Sequence, residues 1–332
     1  MKHFIVVCVI FWTCTYQVMS RTLSESSVAK THEQWMSKHQ RSYTDEAEKQ
    51  KRFKIFMENL EYVEKFNNAE NTSYKMGLNQ FSDLTEQEFI ASHTGFKISS
   101  LPVSDSSLNT IPLNLTGIPS NFDWRDKGVV TNVKNQGECA CCWAFSTVGA
   151  IEGLVGIKTN KLISLSEQQL LDCDRTNNGC QGGFMVRAFK YIVDNGGIAT
   201  ENNYPYQGFQ GTCQSGGKQL AVKISGFVNV PTNSEEYLLQ AVVQQPVSVA
   251  VSINNNFRSY REGVFAGPCG TVLNHAVTLI GYGTNNDGTK YWLIKNSWGE
   301  TWGEKGYMRL QRESGEVGGV CGIAKVASYP TL

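Results

Sequence analysis

Hydrophobic and polar positions alternate along this chain in several distinct rhythms. Phe4 to Trp12 is an almost wholly apolar run after the basic start Met1-Lys2-His3, and it is too short to cross a bilayer as a helix. Further on, Glu48, Arg52, Phe56, Asn59, Val63 and Asn67 recur at spacings of three and four, so they share one stripe of a helix. Phe145, Val148, Ile151 and Val155 keep a similar spacing and predict a second amphipathic helix beginning near Cys142. Ser166-Glu167-Gln168-Gln169 reads as a capping box ahead of Leu170 and Leu171. Arg187 to Val193 predicts another short helix, stopped by Asn195-Gly196-Gly197. After about Val228 the rhythm changes to that of strands. Val247, Val249 and Val251 alternate with small or polar residues, and Ala276–Gly283, Lys290–Asn296 and Tyr307–Gln311 are further strand candidates. The chain therefore falls into a helix-rich half followed by a strand-rich half, with no internal repeat and no low-complexity tract.

Composition narrows the class. With 332 residues, zero formal net charge, 18% charged and 41% hydrophobic residues, the chain has an ordinary globular balance and room for more than one core. There is no basic footprint for nucleic acid. Val18-Met19-Ser20 after the apolar run is similar to a leader cleavage site, so residues 1–20 read as a signal peptide with no lasting membrane anchor. Export permits disulfides in the rest of the chain. Ser99 to Gly117 is aperiodic and rich in Ser, Pro and Asn, as an exposed, cleavable linker would be. Asn71-Thr72-Ser73 and Asn114-Leu115-Thr116 are glycosylation sequons.

Candidate chemistry gathers at Gln136-Gly137-Glu138-Cys139-Ala140-Cys141-Cys142-Trp143-Ala144-Phe145. Cys142 stands at a helix start, where unpaired N–H groups and the positive dipole end favour a thiolate. Of the five histidines, His3, His32, His39 and His93 precede this stretch and His275 alone comes after it. His275 lies 275 − 142 = 133 residues beyond Cys142, and Asn296 lies 296 − 142 = 154 beyond it. Asn285-Asn286-Asp287-Gly288 is a turn signal between two apolar runs. The midpoint of 275 and 296 falls inside it, so a hairpin should set His275 beside Asn296. An asparagine oxygen there would fix the tautomer and leave the other ring nitrogen for the thiol.

The cysteine stretch resembles the active-site signature of papain-like cysteine proteases: glutamine, glycine, any residue, cysteine, glycine, serine, cysteine, tryptophan, alanine, phenylalanine. Ala140 stands for the usual glycine and Cys141 for the usual serine, and the latter is similar to the plant senescence-associated branch. Asn274-His275-Ala276-Val277 and Asn296-Ser297-Trp298-Gly299 resemble the family's histidine and asparagine motifs. The stripe from Glu48 to Asn67 and Gly77-Leu78-Asn79-Gln80-Phe81-Ser82-Asp83 resemble the two motifs of its inhibitory propeptide. Phe122-Asp123-Trp124-Arg125 resembles the mature opening.

The resemblance implies an α+β, papain-like two-domain fold made as a zymogen, with its site in the cleft between the domains. Residues 21–117 would be the propeptide and 118–332 the peptidase, its helical domain over about 127–229 and its β-barrel-like domain over about 230–328. It implies Cys142 as nucleophile, His275 as base, Asn296 as orienting residue and Gln136 as oxyanion donor. Gly182, Gly183, Phe184, Met185, Ala250, Leu273, Ala276, Trp298 and Val326 would line the substrate cleft and prefer an apolar residue two positions before the scissile bond. Setting aside Cys141 and Cys142, six mature cysteines allow fifteen pairings. The resemblance selects Cys139–Cys180, Cys173–Cys213 and Cys269–Cys321. It further implies a monomer with no metal or cofactor, acting on peptides and proteins, held by its own propeptide and by cystatin-like inhibitors, and destined for the vacuole, lysosome or exterior. Acid pH should release the propeptide by protonating its many carboxylates.

Three rival readings are weaker. Cys139-x-x-Cys142 has a redox spacing but lacks a βαβ context. A zinc site would need a second close cysteine pair. A non-catalytic storage protein on the same fold would not need every catalytic residue type.

The adjacent thiols should separate on mutation. Neighbouring residues at a helix start point about 100° apart, so Cys141 and Cys142 cannot both face the imidazole. Cys141→Ser should keep most peptidase activity and Cys142→Ser should lose nearly all of it, read as hydrolysis of a dipeptidyl amide by matured protein. The reverse result would place the nucleophile at Cys141.

Overall fold

The computed structural model describes residues 26–69, 72–97, 112–214 and 219–332. The leader, Asn71 and most of the linker lie outside the described residues.

The N-terminal segment builds a small layer of its own. A helix over 26–39 (α1) precedes α2 (Glu46–Asn67), strand β1 (Tyr74–Met76) and α3 (Glu86–His93). Asp45 caps α2 by accepting from the Glu48 N–H, with acid in the first turn and Lys65 in the last. Each member of the predicted stripe has a role. Arg52 pairs with Glu48 at 2.6 Å and Glu88 at 2.9 Å. Phe56 and Val63 are buried. Asn59 donates to the carbonyls of Ser82 and Leu84. Asn67 exchanges two hydrogen bonds with the Met76 backbone, which launches β1. At α3 a full reciprocal capping box joins Thr85 and Glu88.

The rest of the chain forms β2 (Phe122–Asp123), α4 (Cys142–Thr159), α5 (Glu167–Cys173), α6 (Met185–Asp194), β3 (Ile198–Ala199), β4 (Leu220–Val222), β5 (Gly226–Asn229), α7 (Glu235–Gln244) and β6 (Val247–Val251). Next come α8 (Asn255–Arg258), β7 (Tyr260–Phe265), β8 (His275–Thr284), β9 (Lys290–Lys295), β10 (Tyr307–Gln311) and β11 (Ala327–Thr331). The main sheet runs β1-β7-β10-β9-β8-β6-β11-β5, with β2 beside β8. Disulfides join Cys139 to Cys180, Cys173 to Cys213 and Cys269 to Cys321. No helix among the described residues is long and apolar enough to cross a membrane.

Five details differ from the sequence reading. The sheet is open, and β7 and β10 are parallel within an otherwise antiparallel order. The N-terminal segment supplies β1 as its edge, so that segment is partly an extra strand. Helix α4 has no single apolar stripe: fourteen of its residues are buried, because the sheet packs on one side and α6 on the other. Its small residues mark those contacts, since a Cβ on Gly149 would lie 2.6 Å from Thr278 and one on Gly153 2.4 Å from Pro246. Ser166 does cap α5, but Gln169 makes no return bond. Its side chain accepts from Ala199 N–H, while Ser166 N–H goes to Ala199 C=O. Finally, the β8–β9 hairpin is centred near Asp287, with Thr278 opposite Lys295 and an irregularity between Leu279 and Gly281. This register carries Asn296 toward Val277, two residues from His275. A two-residue offset preserves the face of a strand, so the side chains of His275 and Asn296 still meet, diagonally.

Candidate active site

Cys142 is the first residue of α4 and is fully buried. Its Sγ accepts from the Ala276 N–H at 3.4 Å. His275, the first residue of β8, holds Nε2 at 2.8 Å from Asn296 Oδ1. That oxygen also accepts from Ser297 N–H. An acceptor oxygen at Nε2 assigns the proton to that nitrogen and leaves Nδ1 bare. Nδ1 has no hydrogen-bond partner of its own among the described residues. Trp298 stacks on the imidazole at 4.5 Å and shields the His275–Asn296 bond from water.

Gln136 reaches this group through a short pairing of two loops. Gln136 N–H donates to Ser297 C=O, and Asn135 bridges to Trp298. Ser297 Oγ donates to Gln136 Oε1 at 2.7 Å, which turns the amide NH₂ toward the cleft. There Nε2 donates to Cys139 C=O and, at 3.2 Å, to the backbone carbonyl of His93. Trp298 Nε1 donates to the same carbonyl at 3.3 Å. A carbonyl oxygen of the N-terminal segment thus occupies the amide donor that the sequence reading assigned to an oxyanion.

The segment then runs along the cleft wall. Gly183 N–H donates to Gly95 C=O at 2.8 Å, Lys97 N–H donates to Gly183 C=O at 3.0 Å, and the pairing is parallel. Gly95 has no room for a side chain, since a Cβ would fall 1.8 Å from Ala140 O. Phe96 is buried with its ring edge-on to Phe184 at 5.6 Å. It belongs to the same apolar cluster as Met185, Ala250 and Ala276, with Leu273 and Val326 packed at the margin. Ala250 and Ala276 face each other across β6 and β8, and Ala250 N–H donates to Val326 C=O. Gly182 backs the segment, since its Cβ would meet Gly95 O at 2.7 Å. Of the predicted cleft residues, Trp298 stands apart, on the His275 side.

Ala140 is not among the residues with positive φ, so its methyl costs nothing here. Cys141 is fully buried, its Sγ 3.2 Å from Tyr206 Oη, whose hydroxyl donates to Gln136 C=O. Sequence reasoning gave no role to Ser297, Tyr206, His93 or Phe96. Ser297 lies inside a motif already quoted. Gly95-Phe96, glycine then aromatic after a helix, was a faint signal. Tyr206 sits in a loop with none. Asn114 is exposed, and its Oδ1 accepts from Thr116 N–H of its own sequon. The described residues hold no cluster of His, Cys, Asp and Glu fit for a metal.

Burial sets the electrostatics. It pushes the Cys142 thiol up to about 12 and the His275 imidazole down to about 4. Both groups are therefore neutral near pH 7 while the N-terminal segment is in place. His93 is likewise held down at about 4, and burial lowers His32 and His39 as well. An imidazole with a lowered pKa binds fewer protons closed than open. Closure by these groups is therefore weakened as pH falls from the ordinary 6.5 toward about 4. The carboxylates divide: Glu88 and Glu33 are lowered and have the expected sign, while Asp83 is raised and opposes it. Burial raises Asp83, so protonation favours its closed state. Burial also pushes Glu88 upward, but the Thr85 N–H and Arg52 outweigh it and hold the group at about 2. Its contribution begins to be lost below its ordinary 4.5 and is lost fully only near 2, so the histidines titrate first.

A thiol and an imidazole at the meeting of a helix and a sheet, plugged by the chain's own N-terminal segment, define a thiol hydrolase in precursor form. Residues 118–331 match the papain family cysteine protease model, and residues 32–89 match the cathepsin propeptide inhibitor domain. The chain is 47% identical over its whole length to the senescence-specific cysteine protease SAG12 of Arabidopsis thaliana, of which it covers 99%. It is 49% identical over 92% of its length to vignain of Vigna mungo, of which it covers 86%. Its structure matches the recombinant stem bromelain precursor at TM-score 0.85 and 46% identity, covering 92% of this chain and 99% of that one. A proform of the ragweed allergen Amb a 11 matches at 0.86 and 41%, covering 92% and 95%. The chain belongs to the papain family of cysteine proteases, and it carries the family's propeptide inhibitor.

His93 stacks on Phe89 at 5.3 Å and meets Phe81 edge-on at 4.7 Å, with Nδ1 2.7 Å from Ser92 Oγ. His93→Phe keeps an aromatic ring there and removes the titration. The variant precursor should process itself at a midpoint shifted to lower pH by roughly half a unit or more, followed as loss of the precursor band against pH. An unchanged midpoint would exclude His93 from the acid response.

Proposed function

We propose that the mature enzyme starts near Ile118 and cleaves peptide bonds through Cys142 and His275. Once the propeptide leaves, water and a substrate carbonyl replace it, and the proton passes from Cys142 Sγ to His275 Nδ1. The thiolate attacks the carbonyl carbon. The oxygen takes up negative charge against the Gln136 amide and the Cys142 N–H. The imidazolium protonates the departing amine, and the acyl-enzyme is then hydrolysed by water that His275 deprotonates. Asn296 keeps the ring in one tautomer throughout. The observation that carries this reading is the 2.8 Å His275–Asn296 bond beside a buried thiol at a helix start.

Preference for an apolar residue two positions before the scissile bond is supported by Phe96, which already fills the cluster of Phe184, Met185, Ala250 and Ala276. No carboxylate stands among these residues to hold a base. The same reading gives a helical domain over about 127–229 and a β-rich domain over about 230–328. It gives a leader over residues 1–20 and delivery to the vacuole, lysosome or exterior. It also gives a monomeric enzyme open to cystatin-like inhibitors, with glycan carried by the precursor at Asn71 or Asn114.

Matured protein should hydrolyse dipeptidyl amides with Phe or Leu at that position about tenfold or more faster than with Arg, and an epoxide thiol trap should abolish the activity. Gln136→Ala should lower kcat by about 10²–10³-fold. Equal rates for Phe and Arg would refute the pocket assignment, and trap-resistant turnover would refute the mechanism.

A further inference from the structure

Arg258 closes α8 in the peptidase part of the chain, and it is only 2% exposed. Its side-chain hydrogen bonds run to the propeptide: Nη1 donates to Leu84 C=O at 2.7 Å and Nη2 to Asn59 Oδ1 at 2.7 Å. Its guanidinium lies 5.7 Å from the Phe89 ring centre. The charged and phenolic groups that act on it, Glu86, Tyr62 and Asp83, also belong to the propeptide. The peptidase part supplies it with no carboxylate partner among the described residues. Removing residues before Ile118 therefore strips the guanidinium of both hydrogen-bond acceptors it has among the described residues.

Its position relative to the reacting atoms is set by one aromatic chain. Trp298 stacks on His275 at 4.5 Å, Phe89 meets Trp298 edge-on at 5.1 Å, and Arg258 lies over Phe89. Phe257 and Trp302 pack beside Trp298 at 6.0 and 4.9 Å. When Phe89 departs it leaves a recess with indole and phenyl walls, Arg258 on one side and the catalytic imidazole one ring away. The Gly183–Phe96 wall, where the acyl half of a substrate would sit, lies past the Gln136 amide. Residues 84–93 of the propeptide cover the opposite half of the cleft, which the departing amine half must use.

We propose that Arg258 is a specificity-determining residue of the mature peptidase, selecting substrates with an acidic side chain in the first two residues after the scissile bond. A carboxylate replaces the polar partners that Arg258 loses, and the aromatic walls partly shield the pair from water. A lysine at the same place meets an uncompensated like charge. This assignment rests on the peptidase reading above.

The test uses matured enzyme and internally quenched peptides that share one acyl half, with Phe two positions before the cleaved bond. They differ by Glu, Gln or Lys in the two positions after it. At about pH 6, where Glu is ionised, kcat/KM should fall in the order Glu, Gln, Lys. The Glu/Gln ratio should be about fivefold, the upper range for a partly exposed pair, and should shrink in roughly 0.5 M salt. In Arg258→Gln the ratio should fall to about one, and Arg258→Lys should retain part of it. Each ratio compares two peptides on one enzyme sample, so a reduced yield of folded variant does not alter it. If Arg258→Gln does not mature, the order and salt response of the wild type with Arg258→Lys still decide. A wild-type ratio near one, or an undiminished ratio in Arg258→Gln, would overturn the assignment. Failure to cleave any of the peptides would overturn the peptidase reading itself, and this inference with it.

Discussion

A thiolate and an imidazolium can face each other only while something solvates their charges. In this precursor the propeptide takes that solvent away. Cys142 and His275 are both fully buried, and burial drives their pKa values toward about 12 and about 4, so the pair stays neutral. Part of the arrangement proposed for catalysis is already made beneath the plug. The His275–Asn296 bond is made, the Trp298 indole covers it, and the Gln136 amide points at a carbonyl oxygen. On the proposed mechanism, activation hydrates the pair and supplies the partner that His275 Nδ1 lacks here.

The plug is held by contacts suited to release. Several of its polar anchors are neutral bonds, such as Asn79 Nδ2 to Arg258 C=O and Gln80 Nε2 to Trp298 C=O, beside the two charge-assisted bonds from Arg258. Each is worth only a modest net free energy. β1 adds an edge strand to β7, a backbone pairing that ends with the loss of three residues. Around His93, Phe81, Phe89 and Trp298 make an aromatic pocket that tolerates a neutral imidazole and disfavours a charged one. Protonated His93 would also stand near Arg41 and near an imidazolium at His275. Imidazoles that burial has lowered thus weaken closure first as pH falls, ahead of Glu88. A carboxylate such as Asp83, raised by the same burial, pulls the other way.

Much of this was legible in the sequence, and the exceptions have physical reasons. The α2 stripe could be read because the helix lies on the surface, with one face on Trp35 and the sheet side and the other in water. Helix α4 could not be read as a stripe, since a helix packed on all sides has no polar face. The turn signal brought His275 to Asn296 although the register differs by two residues, because strand periodicity is two and such an error keeps the face. A one-residue error would have turned Asn296 away. Ser166 announced a helix start correctly, but Gln169 was claimed by Ala199, a long-range contact that no local pattern encodes. Tyr206 and Phe96 act from loops that tertiary packing alone brings to the site. Arg258 was invisible for a related reason: its partners lie about 170 or more residues earlier in the chain.

The claim that hydration switches the dyad can be tested on His275 itself. By sequence it is the one imidazole in the peptidase part, so ¹⁵N-histidine NMR of matured enzyme reports on it directly. The same nucleus can be followed in the intact precursor between about pH 6 and 8, with the propeptide histidines assigned by substitution. The precursor should show a neutral imidazole protonated at Nε2, with no titration above its depressed value. The matured enzyme should show an imidazolium persisting through neutral pH, lost when Cys142 is alkylated. An imidazolium in the precursor at neutral pH, or the same titration midpoint in both forms, would contradict the account.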